Sequence, residues 1–98
     1  MIDFILEEEF NKLKQLVETN KLSNEISNNF MEDYNYEYDF SHNEIEEMQK
    51  EFVKIAKEYL MSKCKEQYII YYDWAVHICS VDFFNKNLKN SLYVYEKC

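Results

Sequence analysis

The chain has 98 residues, 47% of them hydrophobic, which predicts one folded domain with a single modest core. Its formal net charge is −8 and its 11 basic residues are all Lys, a composition poorly suited to direct nucleic-acid binding. Residues 1–48 hold 13 acidic residues against three lysines, so the first half of the chain suits a basic protein partner.

Gly and Pro are both absent. Without Gly, the Gly-rich loops that bind phosphates in nucleotide sites cannot form. The absence of both helix breakers also favours a mainly helical chain. Positions that need a positive φ are expected to use Asn or Asp, which tolerate it best after Gly.

The cysteines, the N-terminus and the lack of a long apolar run together predict a cytoplasmic protein. Cys64, Cys79 and Cys98 are odd in number and widely spaced, which predicts reduced thiols and not a disulfide framework. The acidic N-terminus lacks the features of a signal peptide. No apolar run approaches the roughly 20 residues that a helix needs to span a bilayer.

The first third of the chain predicts helices. Residues 2–19 carry apolar side chains at the three-and-four spacing of an amphipathic helix. The acidic residues in its first turns are favourable there because of the helix dipole. Ser23 is then expected to cap a short second helix that carries Ile26 and Phe30.

The stretch from Glu32 to Glu47 is acidic and rich in Tyr. Its aromatic residues alternate with polar or acidic ones, which predicts an extended segment with the aromatics on one face. Eight acidic residues and no basic one lie between Glu25 and Glu47. Ten residues of the stretch form the predicted partner-binding site: Glu32, Asp33, Tyr34, Tyr36, Glu37, Tyr38, Asp39, Glu44, Glu46 and Glu47.

Two interpretations of this stretch stay open. Tyr is frequent at binding hot spots, and carboxylates around it would steer a basic partner toward the site. Alternatively, the Tyr side chains pack onto helix faces and the charge only keeps a small protein in solution.

A second long helix is predicted for residues 42–65. Ser41 and Glu44 have the spacing of a capping box. Apolar residues then recur at helical spacing, with Glu and Lys on the opposite face. They are Ile45, Met48, Phe52, Ile55, Tyr59 and Leu60.

The last third is ambiguous, because residues 68–81 are apolar on almost every side. The missing Gly favours a helix here, so we predict a mainly α fold: a small helical bundle with an extended acidic segment, forming one domain over residues 1–98. The alternative is an α+β fold with C-terminal strands in residues 68–81 and 91–96.

His77 and Cys79 are the residues that most resemble a chemical site. They lie two residues apart beside Trp74, and a Cys–His pair or half a metal site could be imagined. Metal sites need three or four ligands, and His42 and Cys64 do not supply a recognisable second half. We therefore predict that the pair packs in the core, and that the protein is neither an enzyme nor the holder of a cofactor or metal.

These observations predict a binding protein. The composition, rich in Asn, Ile and Tyr, is typical of AT-rich bacterial or phage genomes. The leading hypothesis is an inhibitor from a phage or mobile element that covers the basic nucleic-acid-binding surface of a defence nuclease, such as a CRISPR effector, as a nucleic-acid mimic. The alternatives are an immunity or antitoxin protein against a basic toxin, and a homo-oligomeric accessory protein, for example a homodimer, with a self-interface in the aromatic C-terminal third.

Overall fold

The fold is seen in a computed structural model that describes residues 2–19, 21–23, 28–31, 39–72, 75–90 and 94–97. These ranges contain three α-helices, a short 3-10 helix and a four-stranded antiparallel sheet. The protein is therefore α+β, and the prediction of a mainly helical bundle is wrong. The architecture matches the alternative with C-terminal strands.

The elements follow one another along the chain as helix α1 (Ile2–Glu18), the 3-10 helix (Lys21–Ser23), strand β1 (Asn28–Phe30), helix α2 (His42–Ser62), strand β2 (Gln67–Tyr72), strand β3 (Ala75–Ser80), helix α3 (Val81–Asn87) and strand β4 (Val94–Lys97).

Helices α1 and α2 agree with the helices predicted over residues 2–19 and 42–65, and the predicted capping box is present. The Ser41 hydroxyl accepts a hydrogen bond from the Glu44 backbone N–H at 3.3 Å. The Glu44 carboxylate in turn accepts from the Ser41 backbone N–H at 3.2 Å. Backbone groups that a helix start leaves without partners are satisfied in this way, so α2 begins at His42.

Helix α2 ends in a Schellman motif built without Gly. The Cys64 N–H donates to the Met61 carbonyl oxygen at 3.1 Å, and the Lys65 N–H donates to that of Leu60 at 3.0 Å. Cys64 has a φ of 55°, the left-handed conformation that Gly usually supplies at this position. The two hydrogen bonds offset the steric cost of its Cβ atom.

Met31 and Asp39 also have positive φ, 63° and 54°. The expectation that Asn or Asp would fill such positions therefore holds for Asp39 and is wrong for Met31 and Cys64. Met31 is buried, so tertiary packing holds its conformation, whereas Cys64 is exposed and is held by the local hydrogen bonds of the Schellman motif.

The sheet has the strand order β1-β3-β2-β4, with every neighbouring pair antiparallel. Strands β2 and β3 are central, and Ile69 of β2 lies opposite Ile78 of β3. Successive residues Ile69 and Ile70 are both buried, although they point to opposite faces. A strand covered on both faces is apolar at every position, which explains why periodicity failed to identify it.

The core lies on both sides of the sheet. On one face, α1 and α2 cover the larger cluster, in which Phe30 and Phe52 are fully buried with ring centres 5.2 Å apart. On the other face, α3 covers a smaller cluster of Ile70, Cys79 and Phe84. The described residues thus form three layers, with two long helices on one face of the sheet and one short helix on the other.

The predicted short helix after Ser23 does not extend to Phe30, which lies in a strand. Residues Lys21–Ser23 form a 3-10 helix and Asn28–Phe30 pair with β3; Ile26 lies outside the described residues. A tertiary contact explains why Phe30 is in a strand and not in a helix. Its backbone pairs with Val76 at the edge of the sheet, and its side chain is buried in the core.

Helix α1 holds β1 in place through two polar side chains. Glu9 is only 5% exposed, and its carboxylate accepts a hydrogen bond from the Met31 backbone N–H at 3.1 Å. The Lys12 ammonium donates to the Asn29 carbonyl oxygen at 2.6 Å and lies 4.9 Å from the centre of the Phe30 ring. These contacts fix Met31, the residue that precedes the acidic stretch.

Candidate functional site

The structure describes only part of the predicted partner-binding site. Glu32, Asp33, Tyr34, Tyr36, Glu37 and Tyr38 lie outside the described residues, so their extended conformation remains a prediction. Asp39, Glu44, Glu46 and Glu47 are described, and all four are exposed.

Two of these four have structural roles. Asp39 takes the left-handed conformation immediately before the buried Phe40. The Glu44 carboxylate is held by the capping box, where it also accepts from the Ser41 hydroxyl at 3.0 Å. Their charges still face solvent, but the start of α2 determines where these side chains lie.

An open groove of about 530 Å³ separates helices α1 and α2. We call it the α1–α2 groove. Its lining residues are Leu6, Glu7 and Phe10 of α1 and Glu47, Met48, Glu51 and Ile55 of α2. Of the described residues in the predicted site, only Glu47 belongs to it.

The groove has an apolar floor and an acidic rim. Leu6 and Met48 are buried, whereas Phe10 and Ile55 are only partly buried. Glu7, Glu47 and Glu51 are exposed. Because Glu47 and Glu51 are four residues apart, they project from the same side of α2, one turn apart.

Phe10 belongs both to the groove and to an aromatic pair. Its ring packs edge-on to Tyr59 of α2 at 5.4 Å. The Lys14 ammonium lies 4.7 Å from the centre of the Phe10 ring. Tyr59 and Lys14 therefore lie beside Phe10, one turn of α1 after Glu7.

The two sides of α2 differ in charge. Glu47 and Glu51 border the groove, and no lysine among the described residues lines it. On the other side, next to β4, Lys50, Lys54 and Lys57 follow the helix together with Glu58. Lys57 lies 3.6 Å from the Glu96 carboxylate of β4. The charged side chains that α2 contributes to the groove side are therefore acidic, whereas the other side has mixed charge.

His77 and Cys79 lie on the same face of β3, as their two-residue spacing requires in a strand. Cys79 belongs to the smaller core cluster, and burial raises the pKa of its thiol to about 11. At neutral pH it is a protonated thiol and a poor nucleophile. Within the described ranges, no group of three or more His, Cys, Asp or Glu side chains could hold a metal ion.

Sequence reasoning missed Glu7, Glu51 and the groove floor. From the sequence, Glu7 is expected only to be a favourable charge near a helix start, and Glu51 to be part of a solvated face. Both lie at the border of an apolar stripe, next to Leu6 and Phe52, and that border can be recognised from the sequence. Which helix packs beside that stripe cannot be recognised from the sequence, because the pairing of α1 with α2 depends on the whole fold.

Among the described residues, none of the helices combines the length and the apolar character that crossing a membrane requires. Comparison with known protein families, with curated protein sequences and with solved structures finds no match to this chain.

Proposed function

We propose that this protein is a binding protein and not an enzyme, and that it inhibits a partner by covering its basic nucleic-acid-binding surface. The observation that carries the proposal is the acidic rim of the α1–α2 groove, where Glu7, Glu47 and Glu51 stand exposed on two packed helices. Carboxylates fixed on rigid elements are complementary to the Lys and Arg side chains that bind phosphates.

The charge of the whole chain supports a protein partner. A net charge of −8 without any Arg disfavours nucleic acid as the direct ligand. The same charge steers a basic surface toward the protein and speeds the encounter. A cytoplasmic defence nuclease met by a phage or mobile element, such as a CRISPR effector, has the required surface, and the proposal places the protein in that compartment.

The test compares two variants of equal net charge. The rim variant E7Q/E47Q/E51Q loses the three carboxylates of the groove. The control E18Q/E58Q/E66Q loses three exposed carboxylates from the C-terminal ends of α1 and α2 and from the residues after α2. Both differ from the wild type by the same charge, so a difference between them reports the position of the carboxylates.

The readout is DNA cleavage by a panel of purified CRISPR nucleases and basic toxin nucleases. We expect the wild type and the control to inhibit one of them, and the rim variant to need at least about tenfold more protein. Added double-stranded DNA should compete with the inhibitor. Equal potency of the two variants would contradict the proposal, and inhibition of a toxin alone would favour an immunity or antitoxin role.

Strand β4 supports a candidate function of another class, self-association as an accessory protein. It lies at an edge of the sheet, and its side chains include Val94 at 68% and Tyr95 at 48% exposure. Edge strands present backbone groups that a second copy can pair with. Light scattering over a range of concentrations tests this: a dimer that Val94→Lys dissociates supports it, and a monomer throughout contradicts it.

A further inference from the structure

We infer that the α1–α2 groove receives one amphipathic α-helix of the partner, with an apolar side chain on the groove floor and Lys or Arg side chains against the rim. This inference rests on the proposed function, because it specifies which element of the basic partner is recognised. It adds an apolar anchor to what would otherwise be contact through charge alone.

The floor of the groove is the first argument. Phe10 and Ile55 retain accessible surface, while Leu6 and Met48 lie buried beneath them. The groove volume of about 530 Å³ is within the range of about 300–1,000 Å³ that is typical of small-molecule sites, so there is room for an apolar side chain of a partner. An apolar side chain placed there would remove the exposed parts of Phe10 and Ile55 from water.

The walls of the groove favour a helix as the occupant. Both walls are α-helices, whose backbone N–H and C=O groups are already paired within each helix. An extended peptide would find no backbone partners there, so its own backbone groups would be left unsatisfied wherever the contact excluded water. A helix satisfies its backbone internally and contributes only side chains, which is the helix-in-groove mode of recognition.

The dimensions fit a short helix. On α2 the lining runs from Glu47 to Ile55, a rise of about 12 Å at about 1.5 Å per residue. That length corresponds to about two turns of a bound helix. Glu47 and Glu51 are separated by about 6 Å along the axis, which matches Lys or Arg side chains one turn apart on the partner.

The charges around the groove determine where the basic side chains of the bound helix lie. Glu7 faces the groove from α1, opposite Glu47 and Glu51, so cations are favoured between the two acidic walls. Beside the Phe10 ring, the Lys14 ammonium disfavours a second cation. The basic residues of the partner helix are therefore expected at the end near Glu7 and Glu47.

The probe is a synthetic Ala-rich helical peptide of about 15 residues, the length at which isolated helices become stable. It carries Leu on one face and Lys at positions one turn apart beside that face. The control peptide has the same composition, with the Leu residues distributed around the helix. Binding is followed by NMR of the Leu6 and Ile55 methyl groups and by calorimetry.

We expect the patterned peptide to shift both methyl signals and the control peptide to leave them unchanged. Glu47→Gln combined with Glu51→Gln should weaken binding about tenfold at low salt. Ile55→Lys, which places a cation on the floor, should weaken it at least as much. The matched control is Met61→Lys, which adds the same charge at a side chain that is 64% exposed elsewhere on α2.

Circular dichroism verifies that Ile55→Lys is folded, and Ile55→Ala, which only shortens the floor side chain, replaces it if it is not. Equal binding of the two peptides, or equal binding by the Ile55 variant and the wild type, would overturn the inference. So would a wild-type dimer that the patterned peptide dissociates, because the groove would then belong to a second copy of the chain.

Nuclease inhibition separates this inference from the proposed function. If Ile55→Lys inhibits as well as the wild type while the rim variant does not, charge alone is recognised and only the inference fails. If the patterned peptide binds the groove but the rim variant inhibits normally, the groove binds helices and the proposed function fails.

Discussion

Cys64 occupies a position at the end of α2 that Gly fills in most Schellman motifs. The left-handed conformation costs a residue with a Cβ atom about 1–2 kcal/mol. Gly removes this steric cost, although it also raises the entropy of the unfolded chain. In a chain without Gly, the hydrogen bonds of Cys64 and Lys65 have to offset the strain.

Replacing Cys64 with Gly should therefore stabilise the protein. We expect Cys64→Gly to raise the free energy of unfolding by about 0.5–1 kcal/mol, measured by urea denaturation. Cys64→Val should lower it, because a β-branched residue tolerates positive φ poorly. Lys54→Gly, on the exposed face within α2, is the control and should cost about 1 kcal/mol. A loss of stability in Cys64→Gly would contradict this account.

The buried thiol of Cys79 predicts a pH dependence. Its pKa in the folded protein is about 11, above the ordinary value of 9.0, because burial disfavours the thiolate. Its contribution to stability is fully present below pH 9.0 and declines toward pH 11, because over this interval only the unfolded chain loses the proton.

Urea denaturation at several pH values, for the wild type and Cys79→Ala, measures this contribution. The variant should be less stable overall, but its free energy of unfolding should fall less steeply over that interval. The other titrating groups largely cancel in the difference. Parallel curves would show that burial does not perturb the thiol.

At the scale of the elements, the two long helices were predictable and the sheet was not. Residues 2–19 and 42–65 show helical periodicity because each helix buries one stripe and exposes the other. Residues 67–80 show no period because β2 and β3 are covered on both faces, as Ile69 and Ile70 illustrate. The absence of Gly was a poor guide, because Met31 and Cys64 take left-handed conformations without it.

Strand β1 could not be predicted from the sequence, for a different reason. Its three residues, Asn28–Phe30, have no strand pattern and pair with residues nearly fifty positions later, such as Phe30 with Val76. Propensity describes local preference, whereas this pairing is a tertiary contact that overrides it.

Helix α3 depends on its contact with the sheet. It has only seven residues, too few for a stable isolated helix. The Phe84 ring stacks on Tyr68 of β2 at 3.8 Å and lies 4.7 Å from the ring of Tyr95 in β4. One aromatic side chain thus joins α3 to both β2 and the edge strand.

Truncating this ring should loosen one side of the molecule. We expect Phe84→Ala to cost about 3–5 kcal/mol of stability. Amide hydrogen exchange, followed by mass spectrometry, should accelerate most in α3 and β4 and least in α1 and α2. Phe83→Ala, at a partly exposed position, serves as the control with a smaller effect. Uniform acceleration throughout the chain would contradict this role for Phe84.

At the scale of the whole molecule, the candidate site follows from charge distribution. Of the described residues in the predicted site, Glu47 also belongs to the groove, whereas Glu51 lies outside the acidic first half of the chain. Glu7 belongs to the groove only because α1 packs beside α2, a contact between residues about forty positions apart. The acidic side of a helix can thus be predicted, whereas a groove between two helices requires the fold.

The acidic rim of the α1–α2 groove opposes stability. Glu7, Glu47 and Glu51 lie beyond the first turns of their helices, so the helix dipoles stabilise them little while they repel one another across the groove. The rim variant E7Q/E47Q/E51Q should therefore have a free energy of unfolding about 0.5 kcal/mol higher than that of the wild type at low salt. Thermal and urea denaturation measure the difference, which added salt should reduce. A rim variant less stable than the wild type would contradict mutual repulsion.

The pairing of β1 with β3 has a consequence for synthesis on the ribosome. Phe30 is made well before its partner Val76, and at about 5–20 residues per second the delay is roughly 2–9 seconds. Throughout that interval β1 has no strand beside it. Helix α1 is already complete, however, and Glu9 and Lys12 supply contacts to Met31, Asn29 and Phe30 that need nothing translated later. The contacts of Glu9 and Lys12 can therefore hold the β1 residues against α1 in the nascent chain until β3 is synthesised.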